Sequence, residues 1–418
     1  MKINSTKFYS GLFVIVILLQ LYLPSFKLNI IFQLFLLALF FFYEKIKVNI
    51  EFYKIITPLF LLFFIGFTGA IINNFGMFNI IKDISHFLKP ITGLLIGYLF
   101  YKKIDNLKTF TKTIVLVGFI SAIIHFIIVF GFSKTNTVAE IREYGRDNYL
   151  ELFSFFFLSF YKKLTNDNLF DNKLNYRIVF WVLLLSCILY LSRTMMVLAI
   201  LLLLSINGYT KITMKGLKAM GIFLLAIIGF YIFLHSIKID RGKPGLEAFL
   251  FKVKIAPEEI FKTRIDRENH KELWDHWRGY EAKRAFDLMT EYPSSFVFGT
   301  GYGSLVNLKF EAPLTGENKG MKFISELHNG FAYVFYKTGI IGLIIYLSFL
   351  ISLYKVIYKN SNYATAFISS IGILYFFTTL TITGIYNSRD IIIFILGALL
   401  FFKDKINSST KPALSSHS

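Results

Sequence analysis

Runs of apolar residues long enough, or nearly long enough, to cross a bilayer recur along almost the whole chain, separated by short polar breaks. They fall near 10–24, 28–43, 55–72, 84–101, 110–132, 149–161, 177–191, 194–208, 217–235, 338–357, 363–382 and 389–402, about twelve by the hydropathy criterion. None alternates with the two-residue period of a barrel strand, and unpaired backbone is costly in lipid, so each run predicts a helix. The expected fold class is an all-α polytopic membrane protein, with helices one to nine in 1–235 and three more in 328–402. Between them, 236–327 is polar and far longer than the other connections, and long loops of this kind more often carry function than act as tethers. Within it, "APEEIFKTRIDRENHKELWDHWRGYEAKRAFDLMTEYP" predicts one or two helices, opened by Pro257 with Glu258 and Glu259 and closed at Pro293. "FGTGYGSL" follows as a glycine-rich turn, and the Ser-rich tail in 403–418 predicts disorder.

Composition agrees: 55% of the 418 residues are hydrophobic and 18% aromatic, outside the range of soluble globular chains. A net charge of +19 would suggest nucleic acid in a soluble protein. Here the basic residues gather in alternate connections, among them Lys45, Lys47, Lys54, Lys102, Lys103, Lys108, Lys211, Lys215 and Lys218. That bias places these segments and both termini in the cytoplasm and 236–327 outside, and it assigns the charge to anionic lipid. Lys2 and Lys7 precede the first run without a small-x-small cleavage site, so the run reads as a retained spanning helix. The single cysteine, Cys187, lies inside an apolar run, which removes a disulfide framework and a cysteine metal site.

Two residues stand out chemically. Arg193 interrupts "LLLSCILYLSRTMMVLAILLLLSI" at the outer end of a helical hairpin in the assigned topology. It is either a snorkelling residue at a tight turn or a fixed cation for a lipid-linked phosphate, which a guanidinium grips bidentately. His328 directly follows the long loop and so shares a side with Arg193. It is either an interfacial residue or a neutral imidazole able to take a proton from a sugar hydroxyl. His86 and His125 show no clustered partner along the chain, and His270 and His276 are spaced onto opposite faces of a helix, so no metal is expected.

"HNGFAYVFYKTGIIG" resembles the signature of the O-antigen ligase and O-antigen polymerase family, matching at His328, Asn329, Gly339 and Gly342. "LYLSRTMMVLAILLL" is similar to the family's Ser-Arg element at Ser192 and Arg193. "WRGYEAKRAFDLMTEYPSSFVFGTGYGSL" resembles its loop segment, with Arg278 as the loop arginine, Arg284 as the alternative register, and Gly299, Gly301 and Gly303 in the turn. The resemblance implies a metal-independent enzyme that moves a glycan from a polyprenyl-pyrophosphate carrier to an acceptor hydroxyl, on the outer face of the bacterial inner membrane. It implies Arg193 and Arg278 as pyrophosphate ligands and His328 as general base. Asn329 would orient the base or the acceptor, with Ser192 and Arg284 beside the substrate. The partners it implies are the lipid-linked oligosaccharide, a glycan acceptor, the bilayer and a chain-length regulator, with no nucleic acid. Single displacement predicts inversion at the anomeric carbon. A polymerase of O-antigen or capsule repeats is the first expectation and a ligase the second. A polysaccharide flippase, betrayed by repeated halves and polar groups at midplane, and a non-catalytic scaffold are the alternatives from other classes.

Overall fold

The computed structural model describes residues 5–23, 25–44, 48–73, 75–132, 149–240, 245–262, 265–266, 269–313, 320–358 and 362–409. Among the described residues nine helices come first: α1 (Ser5–Tyr22), α2 (Phe26–Ala38, continued by a π turn over Leu39–Tyr43), α3 (Ile50–Asn73), α4 (Met77–Ile104), α5 (Leu107–Phe132), α6 (Leu150–Thr165), α7 (Lys173–Leu189), α8 (Arg193–Ile206) and α9 (Met214–Ser236). The long polar segment then forms α10 (Leu246–Lys254), α11 (Ala256–Phe261), α12 (His270–Asp275), α13 (Trp277–Glu291), α14 (Ser295–Phe298) and an antiparallel hairpin of β1 (Val306–Ala312) and β2 (Met321–Ile324). Helices α15 (Gly330–Lys355), α16 (Tyr363–Thr381) and α17 (Ile392–Ser409) close the chain.

Each of the apolar runs lies on one of these helices, and polar caps set several starts. Asn172, Ser192, Thr213, Asn329 and Asn362 each accept a hydrogen bond from a backbone N–H of the first turn. Among the described residues, α1, α3, α5, α9, α15 and α16 are long and apolar enough to cross a membrane by length and composition alone. Others are shorter, and α4 carries Lys82, Asp83, Lys89, Lys102 and Lys103. Helix α15 starts well before the apolar run that predicted it, because Tyr333 and Lys337 in its first turns are buried against protein instead of lipid. Helix α17 runs on to Ser409, past the expected start of the tail; the rest of the tail lies outside the described residues.

The polar segment differs most from expectation. Among the described residues, 256–293 forms three helices, α11 to α13, where one or two were expected, and α10, α14 and a hairpin lie outside that stretch. In β1, Val306, Leu308 and Ala312 are buried and Lys309 and Glu311 exposed, a period-two pattern too brief to register along the chain.

Helices α4 and α17 cross closely at the centre. A Cβ on Gly97 would collide with the Phe394 carbonyl and one on Gly397 with the Leu94 carbonyl, so small residues set the approach, as is common between membrane helices. Around it α17 is enclosed, with Ile392 through Leu396 all buried, whereas α9 buries only Gly216 and Leu234 and turns its apolar face outward.

The glycine turn ties the polar segment to this bundle. Thr300 N–H donates to the Tyr336 carbonyl (2.7 Å), Gly301 N–H to Lys337 (3.1 Å) and Tyr302 N–H to Gly66 (3.0 Å). Gly301 has φ +85° and its α-carbon lies against the backbone of Gly69 and Ala70, so a side chain there is excluded twice over. Beside it lies a fully buried ion pair: Lys337 Nζ meets Asp83 Oδ2 at 2.5 Å and donates to the Ser304 carbonyl at 2.8 Å, while Gly303 N–H donates to the same Asp83 oxygen at 2.7 Å. One pair thus clamps α4, the turn and α15 together. Gly339, with φ +68°, kinks α15 where the backbone from Val297 to Gly299 packs on it.

Candidate active site

Helix α13 organises the site. Its Tyr280 hydroxyl donates to the Leu308 carbonyl (2.6 Å), fixing the helix on β1. Arg278 and Glu281 are three residues apart on it and so share a face. Glu281 is fully buried and both its carboxylate oxygens turn to one residue: Oε2 accepts the His328 backbone N–H (2.8 Å), and Oε1 lies 3.0 Å from His328 Nδ1. A carboxylate can only accept, so Nδ1 carries the hydrogen and Nε2 is left with its lone pair. The imidazole side chain is 54% exposed while Glu281 is at 1%. The imidazole is therefore held from inside and open outside. The hydrogen bond that His328 donates to Glu281 raises its pKa above the ordinary value; burial opposes this, the Glu281 and Glu326 charges add to it and the Arg278 charge subtracts.

The opposing effect of Arg278 reflects how near the cations come. Glu259 of α11 accepts from Arg278 through Oε1 and from Arg193 through Oε2 (3.4 Å), so one carboxylate bridges both guanidiniums. Arg193 also donates to the Lys252 carbonyl. The close approach of α11 to α13 depends on Gly279, where a Cβ would strike the Lys262 carbonyl. Arg278 Nε is buried without a hydrogen-bond partner among the described residues.

The other predicted residues take different positions. Arg284 is occupied by Asp287 and by the Asn307 carbonyl (2.9 Å), tying α13 to β1, whereas Arg278 shares Glu259 with Arg193. Ser192 is buried and caps α8 through Met195 N–H (3.4 Å). Asn329 Oδ1 caps α15 by accepting from Phe331 (3.1 Å) and Ala332 (3.2 Å) N–H, which fixes the backbone just after His328. Both act on helix starts.

Three carboxylates escaped the sequence reading. Glu281 could have been found by its spacing from Arg278; Glu259 and Glu326 had no such signal. His86, read as unpartnered, corrects that reading: its Nε2 meets Glu326 at 3.0 Å, Phe26 stacks on its ring, and Lys82 Nζ lies 3.4 Å from the same Glu326 oxygen. Burial works against ionisation of Glu326, but the hydrogen bond and charge of His86 and the charge of Lys82 prevail and hold it down at about 2. His125 is corrected likewise, since its Nδ1 lies 2.8 Å from the Ser186 hydroxyl, which in turn donates to Glu151. Next to His328 a cleft of about 220 Å³ opens, lined by Glu326, Leu327, His328, Ile382, Thr383, Asn387 and Ser388.

The chain is thus an all-α membrane protein in which two arginines share one carboxylate and a buried carboxylate orients a half-exposed histidine. Residues 178–347, less than half of the chain, match the family model described as O-antigen ligase, which supports the resemblance carried by its motifs. Arg193, Arg278, the glycine turn, His328 and Gly342 all fall inside the matched segment. The match supports a ligase- or polymerase-like role in membrane glycan synthesis. A search of curated proteins found no match.

Proposed function

We propose that the protein joins glycans carried on polyprenyl pyrophosphate, as an O-antigen or capsular polysaccharide polymerase on the outer face of the bacterial inner membrane. The observation that carries this reading is the single face of α13 that holds Arg278 beside Arg193 and Glu281 beside His328. In the reaction, His328 Nε2 takes the proton of the acceptor hydroxyl as its oxygen bonds to the anomeric carbon. The bond from that carbon to the pyrophosphate breaks, and its electron pair leaves with the phosphate oxygen. Arg193 and Arg278 neutralise the charge that develops there. Glu281 keeps the imidazole in the accepting tautomer and stabilises the imidazolium. One displacement inverts the anomeric configuration, and a pyrophosphate leaving group with two guanidiniums makes a metal unnecessary. The cleft beside His328 seats the acceptor sugar.

The topology belongs to the same proposal: about twelve crossings, cytoplasmic termini, and α10 through β2 outside, where the positive-inside bias puts them. A ligase reading, with transfer to a lipid anchor, is the alternative favoured by the description of the matched family. A glycan ladder from a deletion strain separates them. Single repeats on the anchor mean polymerase; a bare anchor with polymer retained on the carrier means ligase.

A further inference from the structure

We infer that Glu259 occupies the seat of the donor's pyrophosphate in the free enzyme and is displaced when the donor binds. The inference rests on the reading of Arg193 and Arg278 as pyrophosphate ligands. Its observation is separate: the carboxylate presents one oxygen to each guanidinium. Among the described residues no other group bonds to the Glu259 side chain. The three groups are mostly buried, at 12% exposure for Glu259, 21% for Arg193 and 23% for Arg278.

Two guanidiniums held this close and partly out of water repel each other, and a buried charge without a counterion is costly. Glu259 supplies that counterion when no substrate is present. A pyrophosphate diester brings more negative charge and more acceptor oxygens than one carboxylate, and its geometry suits the same bidentate forks. Arg278 Nε, a buried donor left unused beside Glu259, is a further contact that a phosphate oxygen can take and the carboxylate does not. The exchange swaps one anion for a better one, and the switch needs only a side-chain rotation. It also raises the threshold for binding, so that singly charged lipid headgroups compete poorly for the arginines.

The test compares purified Glu259→Gln with wild type for donor KM and for inhibition by inorganic pyrophosphate. If the bridged state holds about nine-tenths of the free enzyme, removing it lowers donor KM and the pyrophosphate inhibition constant by about tenfold. Glu258→Gln, whose carboxylate faces His276 instead, should leave both near wild type. A raised KM, or a fallen kcat with KM unchanged, would make Glu259 a prop for the arginines and overturn the inference. Unchanged values for both constants would overturn it too. Retained activity in Arg193→Ala and Arg278→Ala is the distinct outcome that removes the underlying reading.

Discussion

Replacing Glu281 by glutamine alters one atom of a buried side chain and should nearly stop glycan transfer. The carboxylate serves His328 with both oxygens, at 2.8 Å to the backbone N–H and 3.0 Å to Nδ1. An amide has only one accepting oxygen. If that oxygen keeps the backbone contact, the NH₂ faces Nδ1 and drives the ring proton to Nε2, the atom meant to receive the acceptor's proton. If the amide flips, the His328 N–H loses its buried partner, at a cost of about 1–3 kcal/mol. The first outcome resembles a triad carboxylate exchanged for its amide, where the wrong tautomer costs about 10⁴ in rate. Losing a positioned base alone costs about 10²–10⁴. We expect a loss of at least about a hundredfold in kcat/KM, with the protein inserted at normal level. The pH profile gives an independent sign. His328 must be neutral to act, and Glu281 raises its pKa, so wild-type activity should fall with decreasing pH through a midpoint above the ordinary value of about 6.5. In Glu281→Gln burial and the Arg278 charge remain while both Glu281 contributions vanish and only the smaller one from Glu326 still raises the pKa, so the midpoint of residual activity moves down. The assay is transfer from a lipid-linked donor between about pH 5 and 9. Activity within about threefold of wild type, or a midpoint that stays or rises, would refute the dyad.

Arg193→Lys should recover little of the activity lost in Arg193→Ala, because an ammonium keeps charge without the bidentate fork, and a glycan ladder in membranes reads this directly. His328→Gln should fail nearly as fully as His328→Ala; wild-type glycan length in the Gln variant would return His328 to an interfacial role. Dialysis of purified enzyme against a strong chelator should leave transfer nearly intact, and a loss restored by magnesium or manganese would sink metal independence. Lys337→Met strands Asp83 in a site where both side chains are fully buried, and should destabilise the fold by about 3–5 kcal/mol, seen as a lower thermal midpoint in detergent. The double change with Asp83→Leu should restore much of it.

How much was legible follows from the range of each interaction. In lipid a segment must satisfy its own backbone, so helix formation is local and the apolar runs alone located twelve helices, from α1 to α17. Arg193 and His328 were visible because a charge or an imidazole beside an apolar run is conspicuous, and the motif around each lies within a few residues. The polar segment offered no such contrast. It is dense in acidic and basic side chains, and nothing along the chain marks which will meet. Glu259 reaches Arg193 across 66 positions, Glu281 reaches His328 across 47, and Asp83 reaches Lys337 across 254. Those pairings exist because α11 packs on α13 at Gly279, α13 is pinned to β1, and the glycine turn is wedged among α3, α4 and α15. The sequence by itself therefore determined the apolar helices, the membrane class and the candidate residues for the chemistry. Only the tertiary structure chose their carboxylate partners, since electrostatic pairing depends on separation in space and carries no periodic signature along the chain.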